Sequence, residues 1–207
     1  MLIAIDGPAA SGKGTVAKRI AAHFGLEYLD TGRLYRLVGW ELLRKRPGAE
    51  PLDTRLATEI AGNLDLSKIS SEELETEEVG MAASQVSAIP GVRAALLAFQ
   101  QNIAKNPKGA VLDGRDIGTV VCPQAKFKFF ITAEAEIRAK RRFLQLSLRK
   151  PDIKEADILR DILSRDARDK GRKIAPLIPA QDAIYIDTTN IGIEEVFDRV
   201  KRVIERE

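Results

Sequence analysis

Two kinds of hydrophobic pattern run along this chain. Short apolar runs, at 2–5, 28–29, 110–112, 127–131 and 183–186, each stop at polar residues. Between them lie stretches at helical spacing, clearest where Val16, Ile20 and Phe24 recur every fourth position with Ala17 and Ala21 beside them. Gly25 follows where a left-handed cap would end that helix. Apolar runs separated by helices predict an α/β fold, a five-stranded parallel sheet wrapped by helices in three layers. In such sheets the ligand sits beyond the C-terminal ends of the strands. Those ends are Asp30-Thr31-Gly32, Asp113-Gly114-Arg115-Asp116, Thr132 and Asp187-Thr188-Thr189.

Between Pro47 and about Pro107 the alternation fails. This stretch predicts a helix over 53–60, a short apolar piece over 64–69, an acidic stretch over 72–78 and a helix over 92–103. It reads as an insert forming a small substrate-binding flap, with the acidic run as a solvated helix face. One domain over 1–207 is expected, with the insert at about 37–107 and a lid segment at about 163–178.

The most informative segment follows the first apolar run: Gly7, Pro8, Ala9, Ala10, Ser11, Gly12, Lys13, Gly14 and Thr15. It reads as a phosphate-binding loop between a strand and a helix. Gly7 and Gly12 let the backbone curl so that several N–H groups converge on one anion, and the helix opening near Lys13 adds its positive dipole end. Lys13 then neutralises the outer phosphates of a nucleoside triphosphate, and a following hydroxyl reaches Mg²⁺. Here Gly14 intervenes and the hydroxyl is on Thr15. Asp113, at the end of the third apolar run, is placed like the carboxylate that holds the water shell of that metal, although it would also cap a turn through Gly114.

The rest of the composition narrows the partners. At 207 residues and 44% hydrophobic the chain can bury a full core. Lys and Arg number 33 against 30 Asp and Glu, so a net charge of +3 gives little reason to expect nucleic-acid binding. The clustering of arginine carries more weight. Arg33, Arg36, Arg93, Arg115, Arg138, Arg141, Arg142, Arg165, Arg168 and Arg172 fall on or near segments that face the loop. Transfer of a phosphoryl group to another phosphate calls for such cations rather than a general base. The segment Arg165 to Lys173 fits either an arginine-bearing lid or a solvated charged helix. Cys122 is the single cysteine, which excludes an internal disulfide and suits a reducing compartment. His23 is the single histidine and makes no metal site. No apolar stretch approaches eighteen residues, so a cytoplasmic monomer without membrane or nucleic-acid partners is expected.

The Gly12-Lys13-Gly14-Thr15 form resembles the nucleoside monophosphate kinases. Taken with Asp30-Thr31-Gly32 and Tyr35-Arg36, Ala83 to Val86, Pro90 to Arg93, Asp113 to Pro123 and Arg165 to Leu177, the chain resembles the bacterial cytidylate kinases from Met1 to about Ile193. The resemblance implies transfer of the γ-phosphoryl group of ATP to CMP or dCMP. It implies that 7–15 hold ATP and that Arg36 and Arg115 grip the acceptor phosphate. Thr31, Arg93, Asp116 and Arg172 would surround the cytosine, with Ser84, Arg165 and Asp169 near the ribose. Lys13, Arg115 and Arg165 are the candidate catalytic groups, and Thr15 and Asp113 the candidate Mg²⁺ contacts. The chain departs from the family where Thr31 replaces serine, where Cys122 replaces an aromatic residue, and in a shortened flap with Glu75 where arginine is frequent. Two other readings compete: a small-alcohol kinase of the shikimate kinase type with Asp30 as base, and a non-catalytic nucleotide- or RNA-binding protein.

Overall fold

The computed structural model describes residues 1–48, 52–69, 72–147 and 152–206. Residues 49–51 and 70–71 of the predicted insert lie outside the described residues.

All five predicted strands form, as β1 (Leu2–Asp6), β2 (Glu27–Asp30), β3 (Ala110–Gly114), β4 (Phe127–Thr132) and β5 (Ile184–Asp187). They make one sheet in the order β2-β3-β1-β4-β5, with every pair parallel. The helices are α1 (Lys13–Phe24), α2 (Thr31–Lys45), α3 (Thr54–Gly62), α4 (Glu77–Val86), α5 (Pro90–Ala104), α6 (Ala135–Ser147), α7 (Glu155–Gly171) and α8 (Ile193–Glu205).

Alternation along the central strands divides the core between the two faces of the sheet. Ile3, Ile5, Val111, Phe129 and Ile131 pack with Val16 and Ile20 of α1 and Val196, Val200 and Ile204 of α8. Ala4, Ala110 and Leu112 point the other way, into a second layer with Leu34 and Val38 of α2, Ala57 and Ile60 of α3, and Val92 and Leu96 of α5. α1 ends as its sequence predicts, with Gly25 at φ 65° and its N–H bonded to the carbonyls of Ala21 and Ala22.

The stretch predicted as a flap divides in two. α3 and α5 share the core of the sheet itself. A satellite cluster, Leu37, Trp40, Leu74 and Val79, sits apart from it. The helix expected over 53–60 is α3, capped by the Asp53 carboxylate accepting from the Leu56 N–H at 2.9 Å. Pattern reading missed α4, whose small, densely apolar face (Ala82, Ala83, Val86) lies against α2. The 39–83 approach is close enough that a Cβ on Gly39 would stand 2.9 Å from the Ala83 nitrogen.

α6 and α7 pack side by side over Ala139, Ile158 and Ile162, with Ala10 of the phosphate loop against the same cluster. The sequence over 165–173 is thus the C-terminal half of α7 and the turn beyond it, the helix ending at Gly171. Among the described residues no single helix is long and apolar enough to cross a membrane.

Candidate active site

β1 delivers the chain to the phosphate loop under tight constraint. A Cβ on Gly7 would lie 1.9 Å from the carbonyl oxygen of Ile131 on β4, so no side chain fits there. Ala10 adopts φ 59°, a left-handed conformation that few non-glycine residues take, and Gly12 follows at φ 86°. Neighbouring elements hold the loop's outward carbonyls. Arg138 of α6 donates to the Ala9 carbonyl at 3.2 Å and grips Asp166 of α7 with two nitrogens, at 3.2 and 2.6 Å. The Thr188 hydroxyl, just past β5, donates to the Ser11 carbonyl at 3.3 Å. The Lys13 ammonium rests on the Pro8 carbonyl at 3.3 Å. Burial, and then the nearby Arg115, pushes the Lys13 pKa down to about 8.

A cleft of about 650 Å³ opens over this loop, at the C-terminal ends of β1, β2 and β3. Nine basic and six acidic side chains line it. Eight of the ten arginines expected to face the loop do so. The two exceptions have structural work elsewhere: Arg138 is buried in the clamp just described, and Arg33 donates to the Ile69 carbonyl and pairs with Glu75. Of the predicted loop residues, Ala9 to Thr15 line the cleft, while Gly7 and Pro8 form its root.

Across from the loop, the predicted acceptor residues come together. Arg93 is 92% buried, forms an ion pair with the buried Asp116, donates to the Ser87 carbonyl at 3.2 Å and stacks over the Tyr35 ring at 5.7 Å. Burial raises the Asp116 pKa, with Arg93 opposing it. Arg115 donates from Nε to Asp169 at 2.8 Å, Arg172 pairs with the same carboxylate, and Arg165 lies 4.0 Å from it. Burial drives Asp169 upward, but Arg115 and Arg172 together hold it below the usual carboxylate range. One carboxylate for three guanidinium groups leaves donors over. The Nε groups of Arg165, Arg168 and Arg172 are buried without a partner, as is the Ser11 hydroxyl in the facing loop. Burial, and then Arg115, pushes Arg165 down to about 9. Such a wall is short of negative charge, and an anion would complete it.

Two placements differ from the sequence reading, those of Ser84 and the acidic run. Ser84, predicted near the ribose, is buried in α4 with its hydroxyl unpartnered, and the cleft is lined on that segment by Ala83 and Ser87. Thr31 does reach the cleft, but its hydroxyl donates to the Asp113 carbonyl at 2.8 Å, leaving it an acceptor toward the cavity. The acidic run is not a solvated face throughout. Glu75 and Glu77 line the mouth, where Glu75 pairs with Arg33 at 2.9 Å and Glu77 with Arg142 of α6 at 2.6 Å. Arg36 donates to the carbonyls of Leu74 and Thr76 at 2.5 and 3.2 Å, tying α2 to the same acidic edge.

Pattern reading also passed over Asp6, whose buried carboxylate accepts from two backbone amides after β3. Its only signal was an acidic residue closing an otherwise apolar strand, directly before Gly7. Cys122 is buried, its thiol pushed up to about 11, in keeping with a packing role. His23 stacks edge-on against Phe24 and Phe197 at the far end of α1.

A phosphate loop at the end of a central parallel strand, facing an arginine wall across a nucleotide-sized cleft, defines a P-loop phosphotransferase. The chain belongs to the cytidylate kinase family, whose sequence model, described as cytidylate kinase, matches residues 3–206. A cytidylate kinase of Azorhizobium caulinodans is 52% identical over all of this chain and 98% of its own length. One from Rhodopseudomonas palustris is 54% identical over 94% of this chain and 91% of its own. Among solved structures, an uncharacterized protein from Eubacterium ventriosum superposes with a TM-score of 0.58 at 16% identity, covering 100% of this chain and 99% of that one, which speaks for the fold alone.

Proposed function

We propose that the cleft holds ATP on the side of Gly7 to Thr15 and CMP or dCMP on the side of Arg36, Arg93, Arg115 and Asp116, and that the γ-phosphoryl group passes directly between them. Cytidylate kinase membership carries the reaction: ATP and CMP or dCMP give ADP and CDP or dCDP. The observation that supports this assignment of residues is the arginine wall with its unpartnered Nε groups, facing the loop. The acceptor phosphate, with a second pKa near 6, is largely dianionic at neutral pH and is a nucleophile without a general base. What the protein must supply is placement and charge. Lys13 follows the migrating phosphoryl charge. Arg115 and Arg36 hold the acceptor phosphate, and Arg165 neutralises the equatorial oxygens between the two nucleotides. Asp116 accepts from the cytosine amino group, while Arg93 and Arg172 donate to its carbonyl and ring nitrogen. Uracil would present a carbonyl where Asp116 requires a donor.

Magnesium fits the donor set beside the loop. Asp113 is 97% buried, takes the Tyr28 hydroxyl at 3.0 Å on one oxygen, and its other oxygen is 3.5 Å from where a Cβ on Gly14 would stand. Burial, and then the neighbouring Asp30, raises its pKa to about 7, while Lys13 and Arg115 pull it the other way. A Mg²⁺ ion of this kind is held mainly by phosphate oxygens and water. Thr15 and Asp113 would hold it, and when bound it neutralises the β- and γ-phosphates. We read the protein as a cytoplasmic monomer acting on free nucleotides.

A coupled ADP-release assay with a panel of acceptors tests the proposal. CMP and dCMP are expected to be the best acceptors, UMP poor, and AMP, GMP and shikimate negligible. Faster turnover with AMP or shikimate than with CMP would overturn it.

A further inference from the structure

Asp6 ends β1 and is joined directly to Gly7 of the phosphate loop. Parallel pairing with β3 sets it opposite Gly114, one residue before Arg115. Its side chain is 97% buried and reaches the segment beyond, where Oδ1 accepts from the Ile117 N–H and Oδ2 from the Gly118 N–H, both at 2.7 Å. These amides open a wide helical turn over Ile117–Val121. That turn is closed by bonds from the Val121 N–H to the Asp116 carbonyl at 3.1 Å and from the Cys122 N–H to the Ile117 carbonyl at 2.7 Å. The first N–H groups of such a turn have no partner within it, so Asp6 satisfies two donors that would otherwise be buried and unpaired.

The arrangement is chemically particular. Two oxygens of one carboxylate meet two consecutive amides, which a carboxamide of the same shape cannot do, because its NH₂ would face one of the N–H groups. An apolar side chain there would leave both amides unsatisfied. A carboxylate is retained in a place where burial pushes its pKa up to about 6 and where Asp116 is a like-charged neighbour. The bonded segment follows immediately on Arg115 and Asp116, the residues assigned to the acceptor, and the reaction as derived makes no use of Asp6.

We propose that Asp6 is a positioning residue for base selection: by holding the Ile117 and Gly118 amides from the root of the phosphate loop, it fixes Asp116 and Arg115 at a set distance from the donor phosphates. This rests on the reading that Asp116 and Arg115 contact the acceptor. A change at Asp6 should therefore be felt by the acceptor base far more than by ATP, although Asp6 is next to the ATP loop in sequence.

The test compares Asp6→Asn, Asp116→Asn and the unaltered enzyme in steady-state assays with CMP and UMP, alongside thermal unfolding. For Asp6→Asn, kcat/KM for CMP is expected to fall about tenfold, the scale of losing one hydrogen bond to a charged group. The KM for CMP should rise, the KM for ATP should stay within about twofold, and the CMP to UMP ratio should narrow. A lower melting temperature with both KM values and the base ratio unchanged would overturn the proposal, since that is how a purely structural residue behaves. If Asp116→Asn narrows the ratio and Asp6→Asn does not, only the role of Asp6 falls. If Asp116→Asn leaves the ratio intact, the base-reading assignment falls and the proposal with it. Should Asp6→Asn fail to fold, replacing Ile117 by its α-hydroxy analogue removes one of the two N–H donors and leaves Asp6 in place. The same narrowing is expected, and an unchanged ratio would again overturn the proposal.

Discussion

The phosphate loop meets its anion with backbone, whereas the wall opposite it, from the end of β3 and the second half of α7, meets its anion with guanidinium groups. The loop is held in shape by its neighbours. Its geometry is imposed by the Gly7 contact with Ile131 and by the left-handed Ala10, and its outward carbonyls are held by Arg138 and Thr188. The wall is incomplete. Arg115, Arg165 and Arg172 share Asp169, and the Nε groups of Arg165, Arg168 and Arg172 make no hydrogen bond. Preorganised dipoles stabilise a developing charge without rearrangement, and crowded cations do so by drawing the charge in. The contrast suits a reaction whose donor is common to many kinases and whose acceptor must be chosen.

The sharpest way to break the comparison is at Lys13, the lysine of the loop itself. Lys13→Met is expected to lower kcat by roughly a hundredfold or more, the scale of losing one preorganised electrostatic donor, with an unchanged circular dichroism spectrum. The pH profile gives the same group a second signature. Burial, and then Arg115, lowers the Lys13 pKa to about 8, so the ammonium loses its proton as pH rises through that value. kcat/KM for ATP should fall on that alkaline limb, and a residual limb near pH 8 in Lys13→Met would assign it to another group.

A smaller effect separates two neighbours within the wall. Arg115→Ala removes a contact to the phosphate that every acceptor carries, so CMP and UMP should both lose about ten- to a hundredfold in kcat/KM with their ratio nearly constant. Asp116→Asn should lower CMP and narrow the ratio, because it removes the acceptor for the cytosine amino group and leaves Arg93 short of its partner. The opposite pattern in the same assays would exchange the two roles.

How much of this could be read in the sequence divides along the same line. The loop was legible residue by residue, because a backbone anion site needs glycines, a lysine and a following helix in fixed order, and these are local. The five strands were legible for the same reason. For the wall, the individual arginines were visible but their partners were not. That Asp169 serves three of them while Arg138 serves the loop is decided by the packing of α6 on α7 and by a separation of 54 residues between Arg115 and Asp169. Glu77 was read as solvated because nothing local places Arg142 beside it, 65 positions on. Ser84, which the resemblance alone set near the ribose, is buried in α4, where Ala83 and Ser87 line the cleft.

Closure gives a further, more modest test. Glu77 and Arg142 bridge the mouth between α4 and α6, and Arg36 ties α2 to the same edge. If these contacts and the wall respond to both nucleotides together, limited proteolysis at the flap and at 163–178 should slow several-fold with CMP plus a non-hydrolysable ATP analogue, and little with either alone. Equal cleavage under all conditions would show that neither segment acts as a lid.

The smallest expected effect is on stability, and it bears directly on whether the wall is incomplete. Burial and Arg115 both disfavour the charged form of Arg165, which pushes its pKa down to about 9. A folded-state pKa below the unfolded value means that the folded protein would bind fewer protons than the unfolded chain only above about pH 9, and a guanidinium keeps its proton in proteins. The charge therefore persists, and so does its penalty, throughout the range in which the enzyme works. Arg165→Met removes the charge while keeping an aliphatic stem, and part of the benefit is lost to solvent screening because the side chain is 24% exposed. The melting temperature is expected to rise by roughly 2–4 °C, the equivalent of about 1 kcal/mol in a domain of this length, and to do so equally at pH 6 and pH 8. Inorganic pyrophosphate supplies the missing counter-charge, so it should stabilise the unaltered protein more than the variant. A lower melting temperature for Arg165→Met, with pyrophosphate stabilising both proteins alike, would mean that the wall is already satisfied and that its arginines are held by the fold rather than waiting for substrate.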